Sequence, residues 1–528
     1  MSKALDIAKE SAKGSFHYLW GLVVSTLISS IGTIFIARLL GSDQYGLYTI
    51  VLSVPLLIVT FRDWGINLAM VKFTAQFRAE ERIEETRNIL VSGLAFEVLI
   101  GFLLSLSTIL SAEYVATSFF NRPTIAPLIQ VASVYIFMGG LIAAATAAFT
   151  GFEKMELNSI MIVCQSIFRT VLIIALVLMG LGTSGAIIGF AVGTIIAGII
   201  GLVIMWKLYS RLPRTTHHSL EIKAYMSTML TYGLPLSLAT IIIGVLPQYY
   251  IVLLPIYYAA NNNAVIGNYG IAMNFVVLIT FFSIPILTML FPAFSKLNPQ
   301  KDKDSLRILF RLSVKYASLF VVPVSFLVMC LSVPAVSTLF GNTYESAALF
   351  LALLATQYLF TAFGNLSISG LLSGQGKTGF VLKTSILTGL IGFLLGYFSI
   401  IAFGVLGLIL TTIIAGIPSL ILGIRFIQKN YDVSIDWNSS IKLLSASGIT
   451  ALITYVFISI VTFPNWIQLL LGTLLFVGLF IPIVLLFKAI DKTDLTILSQ
   501  MTLSLGRIGS AFRKALSILE KMMDLLKK

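Results

Sequence analysis

This chain is short of charge, histidine and cysteine, and each shortage closes off a class of function. Charged residues make up 11% of its 528 positions, about half the share of a soluble globular domain. With 58% hydrophobic residues and a mean hydropathy of +0.98, a water-soluble fold is excluded. The two cysteines, Cys164 and Cys330, both fall inside apolar runs, so neither a disulfide framework nor a Cys-rich metal site can be assembled. Three histidines, His17, His217 and His218, are too few and too peripheral for a metal centre or a proton relay, and are expected at headgroup level. No Walker-type phosphate loop is present, so no ATP site is expected in the chain, and no cofactor or metal is implied.

What the chain does have is apolar runs long enough to span a bilayer, each of about 20 residues or more. The expectation is an all-α polytopic membrane protein with spans at 15–39, 45–70, 88–112, 125–150, 157–180, 183–207, 227–257, 264–294, 312–340, 346–373, 380–403, 404–428, 439–462 and 465–488. Thirty of the 35 Lys and Arg residues precede the first run, follow the last, or fall in alternate connections and the span ends that flank them. By the positive-inside rule both termini are then cytoplasmic, which makes this a multi-pass cell-membrane protein. The other five cations are Arg38, Arg62, Arg122, Arg169 and Lys315. The net charge of +13 is accounted for by topology and by attraction to anionic membrane lipids, and nucleic acid is not an expected partner. The start, MSKALDIAKESAKGSFHYLW, reads as a charged amphipathic stretch leading into the first span rather than a cleavable signal.

The second six spans repeat the first six. At an offset of 221 residues, Gly46, Tyr48, Leu57, Ile58, Phe61 and Phe73 fall on Gly267, Tyr269, Leu278, Ile279, Phe282 and Phe294. At 223, Gly151 and Lys154 fall on Gly374 and Lys377, and at 218 the tract Thr194–Ile199 recurs as Thr412–Ile417. Six is an even number, so both copies enter the membrane in the same orientation. Parallel repeats of this kind are a transporter architecture. The expected organisation is an N-terminal six-helix lobe (1–207), a cytoplasmic linker (208–226), a C-terminal six-helix lobe (227–428), two extra helices (429–490) and a cytoplasmic amphipathic tail (491–528). In the tail, apolar residues from Leu495 to Leu525 interleave with cations, the pattern of a helix lying in the interface.

The segments IARLLGSDQYGLYTIVLSV (36–54), DWGINLAMVKFTAQ (63–76), YGLPLS (232–237) and SGQGKTG (373–379) resemble the Wzx-type polysaccharide flippases of the multidrug/oligosaccharidyl-lipid/polysaccharide exporter superfamily. The resemblance implies two six-helix lobes in a V around a central cavity. It also implies alternating-access transport of a lipid-linked oligosaccharide, a glycan on a polyprenyl phosphate or pyrophosphate, from the cytoplasmic to the outer leaflet. Glycan-assembly proteins are the partners it suggests. An alternative in the same superfamily is a cation-coupled multidrug or small-molecule exporter, which would need a cavity carboxylate. The first span holds no Asp or Glu, leaving Asp63 and Glu97 for that role. A membrane glycosyltransferase, polymerase or ligase is disfavoured because the outer connections are short, so no enzyme is expected.

Ionisable groups inside hydrocarbon are costly and need a partner or a wet cavity. At 1.5 Å per residue, Asp63, Arg62, Glu97 and Arg169 lie about 10 to 18 Å from the cytoplasmic ends of their spans and can share one layer. Either these four neutralise one another and pin the helices, or an arginine, Arg169 foremost, meets substrate phosphate through its two-pronged guanidinium. At the 221 offset, Arg62 and Asp63 correspond to Ser283 and Ile284, so the second copy lacks the pair. Arg38 either snorkels to the outer surface or lines the outward mouth. Lys315 follows Arg307 and Arg311 at steps of four, a basic face that serves as a headgroup funnel or a plain cytoplasmic flank. Pro235, Pro247 and Pro255 predict a kinked or broken seventh span that gates the cavity.

Overall fold

A computed structural model describes residues 2–213, 221–258, 262–282, 294–295, 297–298, 301–491 and 494–495. His217, His218, Ser283, Ile284 and all but the first residues of the amphipathic tail lie outside them. Among the described residues every regular element is helical, as hydrocarbon demands of a backbone that must satisfy its own hydrogen bonds. The helices are α1 (Ser2–Val59), α2 (Ile66–Ala79), α3 (Ile83–Tyr114), α4 (Ala126–Gly151), α5 (Met155–Leu176), α6 (Gly182–Ser210), α7 (Ile222–Tyr257), α8 (Asn263–Val276), α9 (Lys303–Cys330), α10 (Ser332–Leu339), α11 (Glu345–Ala355), α12 (Asn365–Gly374), α13 (Thr378–Tyr431), α14 (Trp437–Ile460) and α15 (Asn465–Leu486).

Among the described residues, ten helical runs are long and apolar enough to cross a bilayer. Three of them, Trp20–Val59, Met155–Ser210 and Thr378–Tyr431, hold 40, 56 and 54 residues, which at 1.5 Å per residue is about 60 to 84 Å against a hydrocarbon core of about 30 Å. Each is interrupted by a glycine with non-helical dihedrals: Gly41 (φ 72°, ψ 170°), Gly182 (φ 51°, ψ −136°) and Gly404 (φ 59°, ψ −133°). Each of the three runs is therefore a pair of crossings. The ten runs make thirteen, and the shorter apolar stretch Asn263–Ile279 begins a fourteenth. The protein is an all-α, multi-pass membrane protein.

Contacts divide the chain into two compact units, Met1–Ile271 with Thr388–Thr411, and Ala272–Leu387 with Thr412–Lys528. In the first, a run of small residues packs among large ones in the core. Ala144, Ala145, Ala147 and Ala148 of α4 are buried among Met70, Ile89, Phe149 and Met161, whereas Leu110 and Met179 are exposed where lipid tails would lie. In lipid there is little hydrophobic gain between helices, so close backbone approach carries the association. On α6, a Cβ added to Gly189 would come 2.6 Å from the Ile173 nitrogen, and one on Gly193 would come 2.7 Å from the Arg169 Cα.

The repeat leaves a mark in this unit. A Cβ on Gly46 would fall 1.8 Å from the Asn263 carbonyl oxygen, and one on Gly267 would fall 2.2 Å from that of Ser42. Ser42 and Asn263, like Gly46 and Gly267, are 221 apart in sequence. The contact is therefore reciprocal: each residue meets the counterpart of its own partner, as across a two-fold axis. The second unit packs around two cores, one of Phe294, Phe310, Leu371, Ile427 and Val433 and another of Leu443, Ala446, Val484 and Ile490.

Candidate functional site

The second span is discontinuous. Helix α1 stops at Val59, and a turn, Thr60–Gly65, separates it from α2. Gly65 adopts φ 81°, and an added Cβ there would lie 2.1 Å from the Gly233 carbonyl oxygen of α7. A side chain at either glycine would push the two backbones apart. The DWG and YGLPLS segments meet at this crossing, and about two turns further along α2 the Lys72 ammonium sits 3.8 Å over the Tyr232 ring.

Three of the four expected intramembrane charges gather at the turn. Asp63 accepts the Gly65 N–H at 2.9 Å and the Asn67 N–H at 3.5 Å, placing a negative group at the start of α2, where the helix dipole favours it. Arg62 Nε stands 2.9 Å from Glu97 Oε2 on α3, with the Glu97 side chain fully buried. That N–H is not aimed at the oxygen, so the attraction is ionic, and the guanidinium donates instead to the Ile136 carbonyl at 3.3 Å. Asn67 completes the cluster by donating to Glu97 Oε1 at 2.7 Å. Gly140 makes room: a Cβ there would come 2.8 Å from Glu97 Oε2 and 3.4 Å from Arg62 Cδ.

Arg169 stands apart from them. Its guanidinium lies 4.0 Å from the Phe190 ring centroid, and Phe190 in turn packs on Tyr135 at 5.1 Å. The residue is half-buried, and among the described residues no carboxylate lies within ion-pair distance of it. The backbone of α6 is drawn close by Gly193, so Arg169 is held against Phe190 by a cation–π contact rather than by an ion pair.

Arg38 is exposed on α1. Lys315 is not: its ammonium contacts Asp494 at 2.5 Å and Asp491 at 3.9 Å in the segment after α15, and Tyr316 donates to Asp494 at 3.4 Å. The rest of that basic face is also occupied. Arg307 donates to the Asp432 carbonyl at 3.0 Å and pairs with its carboxylate, while Arg311 donates to Ser434 at 3.1 Å. Helix α7 runs as one helix through Pro235, Pro247 and Pro255; it is not broken. The break lies in the second span, and the second copy leaves α geometry just ahead of the corresponding point, as a 3₁₀ turn at Val277–Phe282 that ends at the counterpart of Phe61. Asn67 and Gly140, which position Glu97, carried no signal in the sequence; the DWG turn did, as an Asp two residues before a Gly.

The profile of the family described as polysaccharide biosynthesis protein matches residues 11–298, more than half of the chain. An uncharacterised membrane protein of Methanocaldococcus jannaschii is 22% identical over 496 residues, covering 90% of this chain and 95% of that protein. A probable low-salt glycan biosynthesis flippase of Haloferax volcanii, Agl15, is 20% identical over 228 residues, 43% of this chain and 48% of its own length. Among solved structures, the lipid II flippase MurJ in an inward closed conformation superposes with a TM-score of 0.70 at 16% identity, over 89% of this chain and 98% of that one. An inward-facing MATE family transporter of the MOP superfamily gives 0.59 at 16% identity, over 78% and 96%. These likenesses fix the fold, and the extent of the profile match fixes the family: the chain belongs to the polysaccharide biosynthesis protein family.

Proposed function

We propose that this protein is a flippase that moves a lipid-linked oligosaccharide, a glycan on a polyprenyl phosphate or pyrophosphate, from the cytoplasmic to the outer leaflet by alternating access. The observation that carries the reading is Arg169, an intramembrane cation with no ion-pair partner among the described residues, stacked on Phe190. An intramembrane charge without a counterion needs a wet path or a ligand, and a guanidinium suits phosphate because its fork donates two parallel hydrogen bonds. Membership of the family and the flippase relative of Haloferax volcanii support the same cargo class.

The cation-coupled exporter needs a carboxylate available to a cation. Glu97 is engaged by Arg62 and Asn67, while Asp63 accepts the N–H groups of α2 through Oδ1 alone, so Asp63 is the carboxylate on which that reading would have to rest. The test is a proteoliposome assay with a fluorescent polyprenyl pyrophosphate carrying a short glycan. Arg169→Ala should reduce translocation to the level of empty vesicles while keeping the wild-type elution profile and thermal midpoint. Wild-type rates in that variant would remove Arg169 from the mechanism.

A further inference from the structure

The second unit contains a cavity of about 170 Å³ lined by Gln357, Tyr358, Thr361, Asn365, Thr412 and Gly416, among others. Its position relative to the sequence repeat gives it meaning. In the first copy, Arg62 donates to the Ile136 carbonyl and lies against Gly139 and Gly140, with Glu97 beside Gly140. Adding 221 carries Ile136, Gly139 and Gly140 to Gln357, Phe360 and Thr361, all of which line the cavity. The same step carries Glu97 to Ser318, whose hydroxyl contacts the Thr361 carbonyl at 3.3 Å, and Arg62 to Ser283. The residues that surround the ion pair in the first copy correspond, in the second, to residues that line an opening of hydroxyl and amide groups. In the sequence, serines take the places of both charges.

Two further features mark the wall as specialised. Thr356–Phe363 is a 3₁₀ helix of eight residues ending at Gly364 with φ 77°. A 3₁₀ run longer than three or four residues is uncommon and often marks a functional site. Helix α13, which contributes Thr412, Ile413, Gly416 and Leu420 to the lining, carries Pro418 in its interior. The groups named here are neutral: an amide on Gln357 and Asn365, a phenol, and two threonine hydroxyls. Such a set donates and accepts hydrogen bonds without attracting an ion.

We propose that this cavity is a subsite for one neutral sugar ring of the transported lipid. The inference rests on the flippase reading and extends it, by assigning the uncharged part of the cargo to the copy of the repeat that has lost its charges. Gly416 supplies a clean probe, because a Cβ built on it meets nothing within 4 Å. A leucine at that position fills the opening without moving the backbone.

The experiment measures binding of two lipids to the full chain in nanodiscs: a polyprenyl pyrophosphate bearing one N-acetylhexosamine, and the same lipid without sugar. Wild type should prefer the sugar-bearing lipid by about tenfold, the worth of one or two neutral hydrogen bonds. Gly416→Leu, and independently the near-isosteric Gln357→Leu, should erase that preference and leave the affinity for the bare lipid unchanged. Retention of the preference in both variants overturns the subsite while leaving the flippase reading intact. Failure of wild type to bind either lipid overturns the flippase reading and the subsite with it.

Discussion

The buried pair of Arg62 and Glu97 predicts an asymmetric mutant cycle. Glu97 has no exposed side-chain surface and Arg62 has 7%, so removing either partner strands the other away from water. Breaking a buried pair in this way costs about 3 to 5 kcal/mol. The two single variants should not cost the same. In Arg62→Met the surviving carboxylate keeps the Asn67 amide at 2.7 Å and can take up a proton to become neutral. In Glu97→Leu the surviving guanidinium keeps the Ile136 carbonyl at 3.3 Å and cannot lose its charge. Glu97→Leu therefore belongs near the upper end of that range and Arg62→Met near the lower. The double variant replaces the pair by apolar side chains and should return to within about 1 to 2 kcal/mol of wild type, since a buried pair contributes little net stability over a hydrophobic replacement. The assay is thermal unfolding of detergent-solubilised protein followed by size exclusion, comparing midpoints across the four sequences. A double variant no more stable than Glu97→Leu, or an Arg62→Met less stable than Glu97→Leu, would refute the reasoning.

Three further outcomes follow from the geometry. Arg169→Lys keeps the charge but loses the fork and much of the stacking on Phe190, so transport should fall about ten- to a hundredfold, the worth of one charged hydrogen bond; full retention would mean that only charge matters there. Gly46→Ala and Gly267→Ala should destabilise by similar amounts, about 1 to 3 kcal/mol each, because overpacking acts on the two sides of one reciprocal contact. A variant tolerated on one side alone, read by the same unfolding assay, would contradict the two-fold relation. Lys315→Met should release the segment around Asp491 and Asp494, seen as faster hydrogen exchange at residues 488–495 with transport retained. Slowed transport with unchanged exchange would instead assign Lys315 to the substrate.

Span number, helix class and the intramembrane charges could all be read from the sequence, because hydropathy and charge are properties of single residues averaged over about 20 positions. The break at Thr60–Gly65 escapes such an average, since six residues of turn vanish inside it; its signal is the local one of an Asp two residues before a Gly. Prolines drew the expectation of a break to α7, yet Pro235, Pro247 and Pro255 are accommodated in a continuous helix, while the second span parts at a glycine, Gly65, pressed against another backbone. Likewise the basic ladder of Arg307, Arg311 and Lys315 was visible as one face of a helix. Its partners are Asp432, Ser434 and Asp494, more than 120 residues away along the chain, and sequence spacing carries no information about contacts at that range.

The two copies of the repeat differ where their chemistry should differ. Arg62 and Glu97 cancel each other, so beyond a few ångströms the pair contributes little field, and Asp63 keeps its charge at the start of α2, bonded by backbone N–H groups there. Arg169 is not cancelled by any described carboxylate within ion-pair distance. In a low-dielectric interior a single uncompensated charge dominates its surroundings, because there is little water to screen it. The surroundings of Arg169 should therefore accept an anionic group and repel a cationic one, which favours a phosphate-linked cargo over an organic cation at that point. A competition assay against translocation of the lipid probe makes the point testable: inorganic pyrophosphate should inhibit where a quaternary ammonium compound does not, and inhibition by the cation alone would reverse the assignment.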